Sequence, residues 1–143
     1  MTLSSINTNQ TSGGFNDYVG KNTNDVGYQF NGEIVKNNSS LQTGLTSVGV
    51  GDILGVAMDL DNNTIQFYVN GSSSGNAVSL SADETYFFAF SGRNSAKAEC
   101  NFGNGYFADN AVASAGTNAS GNGIFEFDCP VGYTALSTKG LNL

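Results

Sequence analysis

The chain has no histidine, one arginine (Arg93), one proline (Pro130) and two cysteines, and only 12% of its residues are charged. Each scarcity excludes something. Without histidine there is no Ser-His-Asp or Cys-His nucleophile, no imidazole base and no histidine metal ligand. Two thiols alone cannot complete a four-ligand structural zinc site. Five basic residues against 12 acidic ones leave a net charge of -7, which argues against nucleic acid, whose phosphates need clustered Lys and Arg. The same sign disfavours anionic membranes. The longest unbroken apolar run is Tyr86 to Phe90, far short of the ~20 residues of a membrane helix, so no membrane insertion is expected. The start, Met1-Thr2-Leu3-Ser4-Ser5, has neither the basic residues nor the apolar stretch of a secretory signal. No motif asks for a cofactor, and none is expected.

What replaces charge is neutral polarity. Asn, Gly, Ser and Thr make up 65 of 143 residues, while Leu, Ile, Val and Phe total 34, above the level at which disorder is expected. The length fits one domain, and a single domain over 1–143 is expected. Cys100 and Cys129 could pair, but two buried free thiols in a reducing compartment are the plainer account.

No window sustains apolar residues at helical spacing, whereas strand signals recur. In Thr64 to Asn70, Ile65, Phe67 and Val69 fall on one face and Gln66, Tyr68 and Asn70 on the other. Asp52 to Asp59 is apolar almost throughout, as for a strand covered on both faces, and Leu60-Asp61-Asn62-Asn63 joins the two as a hairpin. Asn31-Gly32 separates Val26–Phe30 from Glu33–Lys36, and Asn70-Gly71 opens a Ser-rich loop before Ala77–Leu80. Thr85 to Phe90 and Ala96 to Phe102 read as strands joined by residues 91–95, and Ile124 to Asp128 as another. Residues 104–123 read as a long Gly/Asn/Ala loop. Phe67, Phe87, Phe88, Phe90, Phe102, Phe125 and Phe127 are expected in the core. Strands at this spacing mark a β-sandwich or barrel.

Two enzymatic or metal readings fail on spacing. Glu126-x-Asp128 begins a glycosidase-like row of carboxylates, but the third position is Val131. Asp59-x-Asp61-x-Asn63 begins a calcium-type loop, but Thr64 stands where glycine is needed and Asn70 where glutamate is needed.

From Gly51-Asp52 through Leu54-Gly55-Val56 and Asp61-Asn62-Asn63 to Phe67-Tyr68-Val69-Asn70-Gly71, and again at Asn101-Phe102-Gly103, the chain closely resembles the SPRY domain family. The resemblance covers roughly residues 15 to 103 and implies an all-β, bent antiparallel sandwich of the concanavalin A-like class. Gly121 to Phe127, then Pro130-Val131-Gly132-Tyr133 and Ala135 to Leu141, resemble the tail of SPRY-like proteins of bacteriophage genomes. The family's aromatic-rich N-terminal strand pair is not matched in residues 1–14, an N-terminal arm without Trp: either Thr2 to Ile6 is a substitute strand or part of the sheet is missing. A neighbouring copy or another chain is therefore expected to cover an open sheet edge. The resemblance implies a contact module rather than an enzyme, with Ser91, Gly92, Arg93 and Asn94 as the candidate binding loop. Arg93 offers a planar donor fork for carboxylates or sugar hydroxyls, or pairs with one of the surplus carboxylates. The expected role is a virion component (head decoration, fibre or tail), made in the host cytoplasm and contacting other virion proteins. The alternatives are glycan recognition for host attachment and an intracellular interaction adaptor.

Overall fold

A computed structural model describes residues 18–92, 96–114, 116–117 and 123–136. The chain divides into two compact units, Met1–Ala96 and Lys97–Leu143. Among the described residues there is no helix, and every paired strand is antiparallel. This is the all-β class expected of a SPRY or concanavalin A-like chain.

Among the described residues the first unit holds seven strands: β1 (Val26–Gln29), β2 (Glu33–Lys36), β3 (Ser39–Gln42), β4 (Leu54–Asp59), β5 (Thr64–Val69), β6 (Ser72–Ser73) and β7 (Val78–Ser79). β1-β2-β3 form one sheet; in the other, β5 pairs with β4 on one side and with β6 and β7 on the other. Asparagine makes the tight corners. Asn37 and Asn38, at φ 53° and 58°, join the partners Lys36 and Ser39, and Asn70 and Gly71, at φ 49° and 80°, join Val69 and Ser72. Two successive positive φ angles define the turn whose twist matches that of paired strands. The β1–β2 corner needs glycine for another reason. Gly32 sits at φ 80°, and a Cβ there would lie 2.2 Å from the Leu45 carbonyl oxygen.

β5 alternates as its sequence demands, with Ile65, Phe67 and Val69 buried between half-buried neighbours. Ile65 and Phe67 join Val26 and Ile34 of the other sheet, with Val78 and Leu80, in one apolar core. Burying each large side chain contributes about 1.5–3 kcal/mol. Tyr28 closes the core from above, its ring 5.3 Å from that of Phe67.

Several expectations change. β4 is not covered on both faces: Leu54 is exposed, only Ala57 is buried and the remaining residues are half-buried. β3 and β6 arise in stretches whose Ser and Asn content hid them; a strand here is made by its partner and its turn rather than by its own side chains. Conversely, Thr85–Phe90 and Ala96–Phe102 carry no strand among the described residues. Apolar density makes a segment fit for a sheet but does not supply a ladder partner. Of the seven phenylalanines expected inside, Phe67 is buried and Phe125 half-buried, while Phe87, Phe88, Phe90, Phe102 and Phe127 are exposed.

In the second unit, residues 104–123 are not one long loop. β8 (Tyr106–Phe107) and β9 (Asn110–Ala111) make a hairpin, and β10 (Gly116–Thr117) pairs with β11 (Ile124–Phe125). The expected strand from Ile124 to Asp128 stops at Phe125, since Glu126 and Phe127 bend away. Ala135 is the buried hydrophobic side chain of this unit among the described residues. Residues 1–14 lie outside the described part.

Candidate functional site

Ser91 and Gly92 are the part of the expected binding loop that falls within the described residues; Arg93 and Asn94 lie outside them. Ser91 is exposed, and its Oγ accepts a hydrogen bond from the Val19 backbone N–H at 3.2 Å. Gly92 lies close against the Phe90 ring: an added Cβ would approach Ala96 Cβ to 2.9 Å and the ring to 3.0 Å. The start of the loop is thus fixed at Val19 and backed by an aromatic side chain that is itself 53% exposed. Phe87, at 51%, extends the apolar surface along the same segment.

A second set of polar residues holds the Ser-rich loop after β5, and nothing in the sequence marks it. Gln42 on β3 treats Asn76 as a strand partner: its Oε1 accepts from the Asn76 N–H at 2.7 Å and its Nε2 donates to the Asn76 carbonyl at 2.9 Å. Gln66 on β5 donates to the carbonyls of Phe67 (2.9 Å) and Gly75 (3.1 Å). Ser74 is buried, its Oγ 2.6 Å from the Tyr28 hydroxyl, which donates to the Thr46 carbonyl at 2.6 Å. Ser72 and Ser73 remain exposed on this fixed backbone. Gln42 and Asn76 are 34 residues apart, and no local pattern links them.

The motif residues at both ends of the β4–β5 hairpin prove to be fasteners. Asp52 accepts from Asn70 Nδ2 at 2.7 Å and from the Gly49 N–H at 2.8 Å, while Asn70 Oδ1 accepts from the Ile53 N–H at 2.9 Å. At the other end Asp59 accepts from the Asn62 N–H at 2.9 Å and from its Nδ2 at 2.7 Å. These bonds favour the charged carboxylates and hold both below their ordinary range, chiefly through Asn70 for Asp52 and Asn62 for Asp59. The Asp59 oxygens are therefore used by the turn that the calcium-like spacing resembled.

Glu126, the first carboxylate of the glycosidase-like pattern, is likewise engaged. It accepts from the backbone N–H groups of Ala113 (2.6 Å) and Ser114 (3.0 Å) and pins that loop. Cys100 and Cys129 are free thiols, each half-buried, and burial raises both above the usual thiol range, so neither is an activated nucleophile. Among the described residues no three His, Cys, Asp or Glu side chains gather to hold a metal ion, and no helix is long and apolar enough to cross a membrane.

The fasteners Asp52 and Asn70 stand at the two ends of the motif that suggested the fold, and a model of the SPRY domain matches residues 6–105. The chain belongs to the SPRY domain family. The match begins ahead of the stretch of roughly residues 15 to 103 that the resemblance covers and ends at Gly105, so residues 106–143 lie beyond it. SPRY domains are generally interaction modules rather than enzymes. No curated protein and no solved structure matches the chain.

Proposed function

We propose that this SPRY domain is a non-enzymatic contact module of a bacteriophage particle, serving in head decoration, fibre or tail and engaging other virion proteins or further copies of itself. The observation that carries the contact reading is the pair Phe87 and Phe90, half-exposed immediately before Ser91 and Gly92. Aromatic side chains are enriched at protein interfaces, and these two stand beside a loop whose start is fixed at Val19. The engagement of Glu126 and Asp59 in folding favours contact over chemistry. The phage assignment rests on the C-terminal run Pro130-Val131-Gly132-Tyr133 and Ala135 to Leu141. Mass spectrometry of purified particles tests it: stoichiometric copies support the role, and absence from particles refutes it. Phe87→Ser with Phe90→Ser is expected to abolish binding of the purified domain to particles that lack it.

Glycan recognition is the second reading, supported by the exposed Ser72 and Ser73 hydroxyls on a backbone held by two glutamines. A glycan-array signal lost on Arg93→Ala or Ser73→Ala would favour it over the protein-contact reading.

A further inference from the structure

Three Asn-Gly pairs have both residues described: Asn31-Gly32, Asn70-Gly71 and Asn104-Gly105. Such a pair can react with itself. The backbone nitrogen of the glycine, once deprotonated by base, attacks the Asn side-chain Cγ. A new C–N bond forms, the Cγ–Nδ2 bond breaks, and ammonia leaves with a proton taken from water. Water then opens the resulting cyclic imide at either carbonyl, giving aspartate or isoaspartate. The reaction needs an accessible glycine nitrogen and an amide side chain free to swing towards it.

The three pairs are restrained in different ways. At Asn31 and Asn104 the nucleophile is shielded: Gly32 and Gly105 are buried, the Gly32 N–H donates to the Gln29 carbonyl at 3.0 Å, and the Gly105 N–H approaches Asn101 Oδ1 at 3.4 Å. At Asn70 the situation is reversed. Gly71 is exposed at the centre of a two-residue turn, where a backbone N–H has no ladder partner. What is held there is the side chain, by Asp52 on Nδ2 at 2.7 Å and by the Ile53 N–H on Oδ1 at 2.9 Å.

We propose that Asn70-Gly71 is a latent self-modification site kept closed by Asp52. The product deepens the change that makes it: a carboxylate at position 70 faces the Asp52 carboxylate, so an attractive pair becomes a repulsive one. The hairpin end that Asn70 fastened then opens, and the added charge persists.

The test is peptide mapping of the intact chain after incubation at mildly alkaline pH, in native buffer and in denaturing urea. In urea the three sites should convert at similar rates, and in native buffer Asn70 should be strongly slowed. Asp52→Ala should speed native conversion at Asn70 roughly five- to tenfold, the factor carried by one net hydrogen bond, with Asn31 and Asn104 unchanged. If Asp52→Ala unfolds the chain, all three sites accelerate together. Asp52→Asn, which keeps one acceptor oxygen, then decides, with a smaller rise confined to Asn70. Equal rates at Asn70 in native buffer and urea would overturn the proposal. So would an Asn70 rate unaltered by a folded Asp52 variant.

Discussion

Asp52 and Asn70, 18 residues apart, meet across the open end of the β4–β5 hairpin with 2.7 Å between Oδ1 and Nδ2. The amide's other end returns to Ile53, next to Asp52, so one pair of side chains ties the start of β4 to the end of β5. Asp59 and Asn62 do the same for the turn at the opposite end.

Acid should loosen both ends. Asp52 and Asp59 are held below their ordinary value of 3.8 in the folded chain, so their contribution is complete above that value and disappears as pH falls through the lowered folded one. Thermal unfolding followed from neutral pH downwards should show a midpoint that drops below about pH 4, and Asp52→Asn with Asp59→Asn should flatten that drop. Both carboxylates face solvent, so the effect is modest and shrinks in salt.

Phenylalanines that look alike in sequence should differ sharply in stability. Phe67→Ala empties the centre of the core and should cost about 3–5 kcal/mol in urea unfolding. Phe87→Ala, on the surface, should change stability by no more than about 0.5 kcal/mol. A loss of several kcal/mol at Phe87 would contradict its exposed position.

Backbone handedness gives a prediction of opposite signs. Gly32→Ala adds a Cβ beside the Leu45 carbonyl at φ 80° and should destabilise by about 1–3 kcal/mol. Ala108, in the β8–β9 turn at φ 48°, already bears that strain, and Ala108→Gly should raise unfolding stability by up to about 1 kcal/mol. Urea titration of both variants measures the contrast.

Gln42→Ala should free the loop after β5 without unfolding the sheets. Hydrogen exchange at the Asn76 amide, whose acceptor is Gln42 Oε1, should quicken several-fold, consistent with loss of about 1 kcal/mol of local protection. The Ile65 amide, inside the core strand, should exchange as before.

The sequence made β5 plain because its period-2 face coincides with burial, and Asn70-Gly71 because only certain residues accept two positive φ angles. At Phe87, Phe88 and Phe90 apolar character does not mean burial, because no strand forms there among the described residues. β3 was invisible because Ser39-Ser40-Leu41-Gln42 has no strand signature; the Asn37-Asn38 turn folds it back onto β2. The roles of Gln42, Gln66 and Tyr28 are not legible in the sequence, since polar side chains on strands reveal what they hold only through their partners. Of the loop singled out, Ser91 and Gly92 are placed and Arg93 and Asn94 fall outside the described residues.

The segment between β5 and β7 is moored by the pairing of β6 to β5, by amides from elsewhere and by the buried Ser74, while the side chains of Ser72 and Ser73 are exposed. Those two positions can be varied widely while the main chain keeps its path. The domain thus owns a small display platform, on which new surface chemistry can be installed without redesigning the protein beneath.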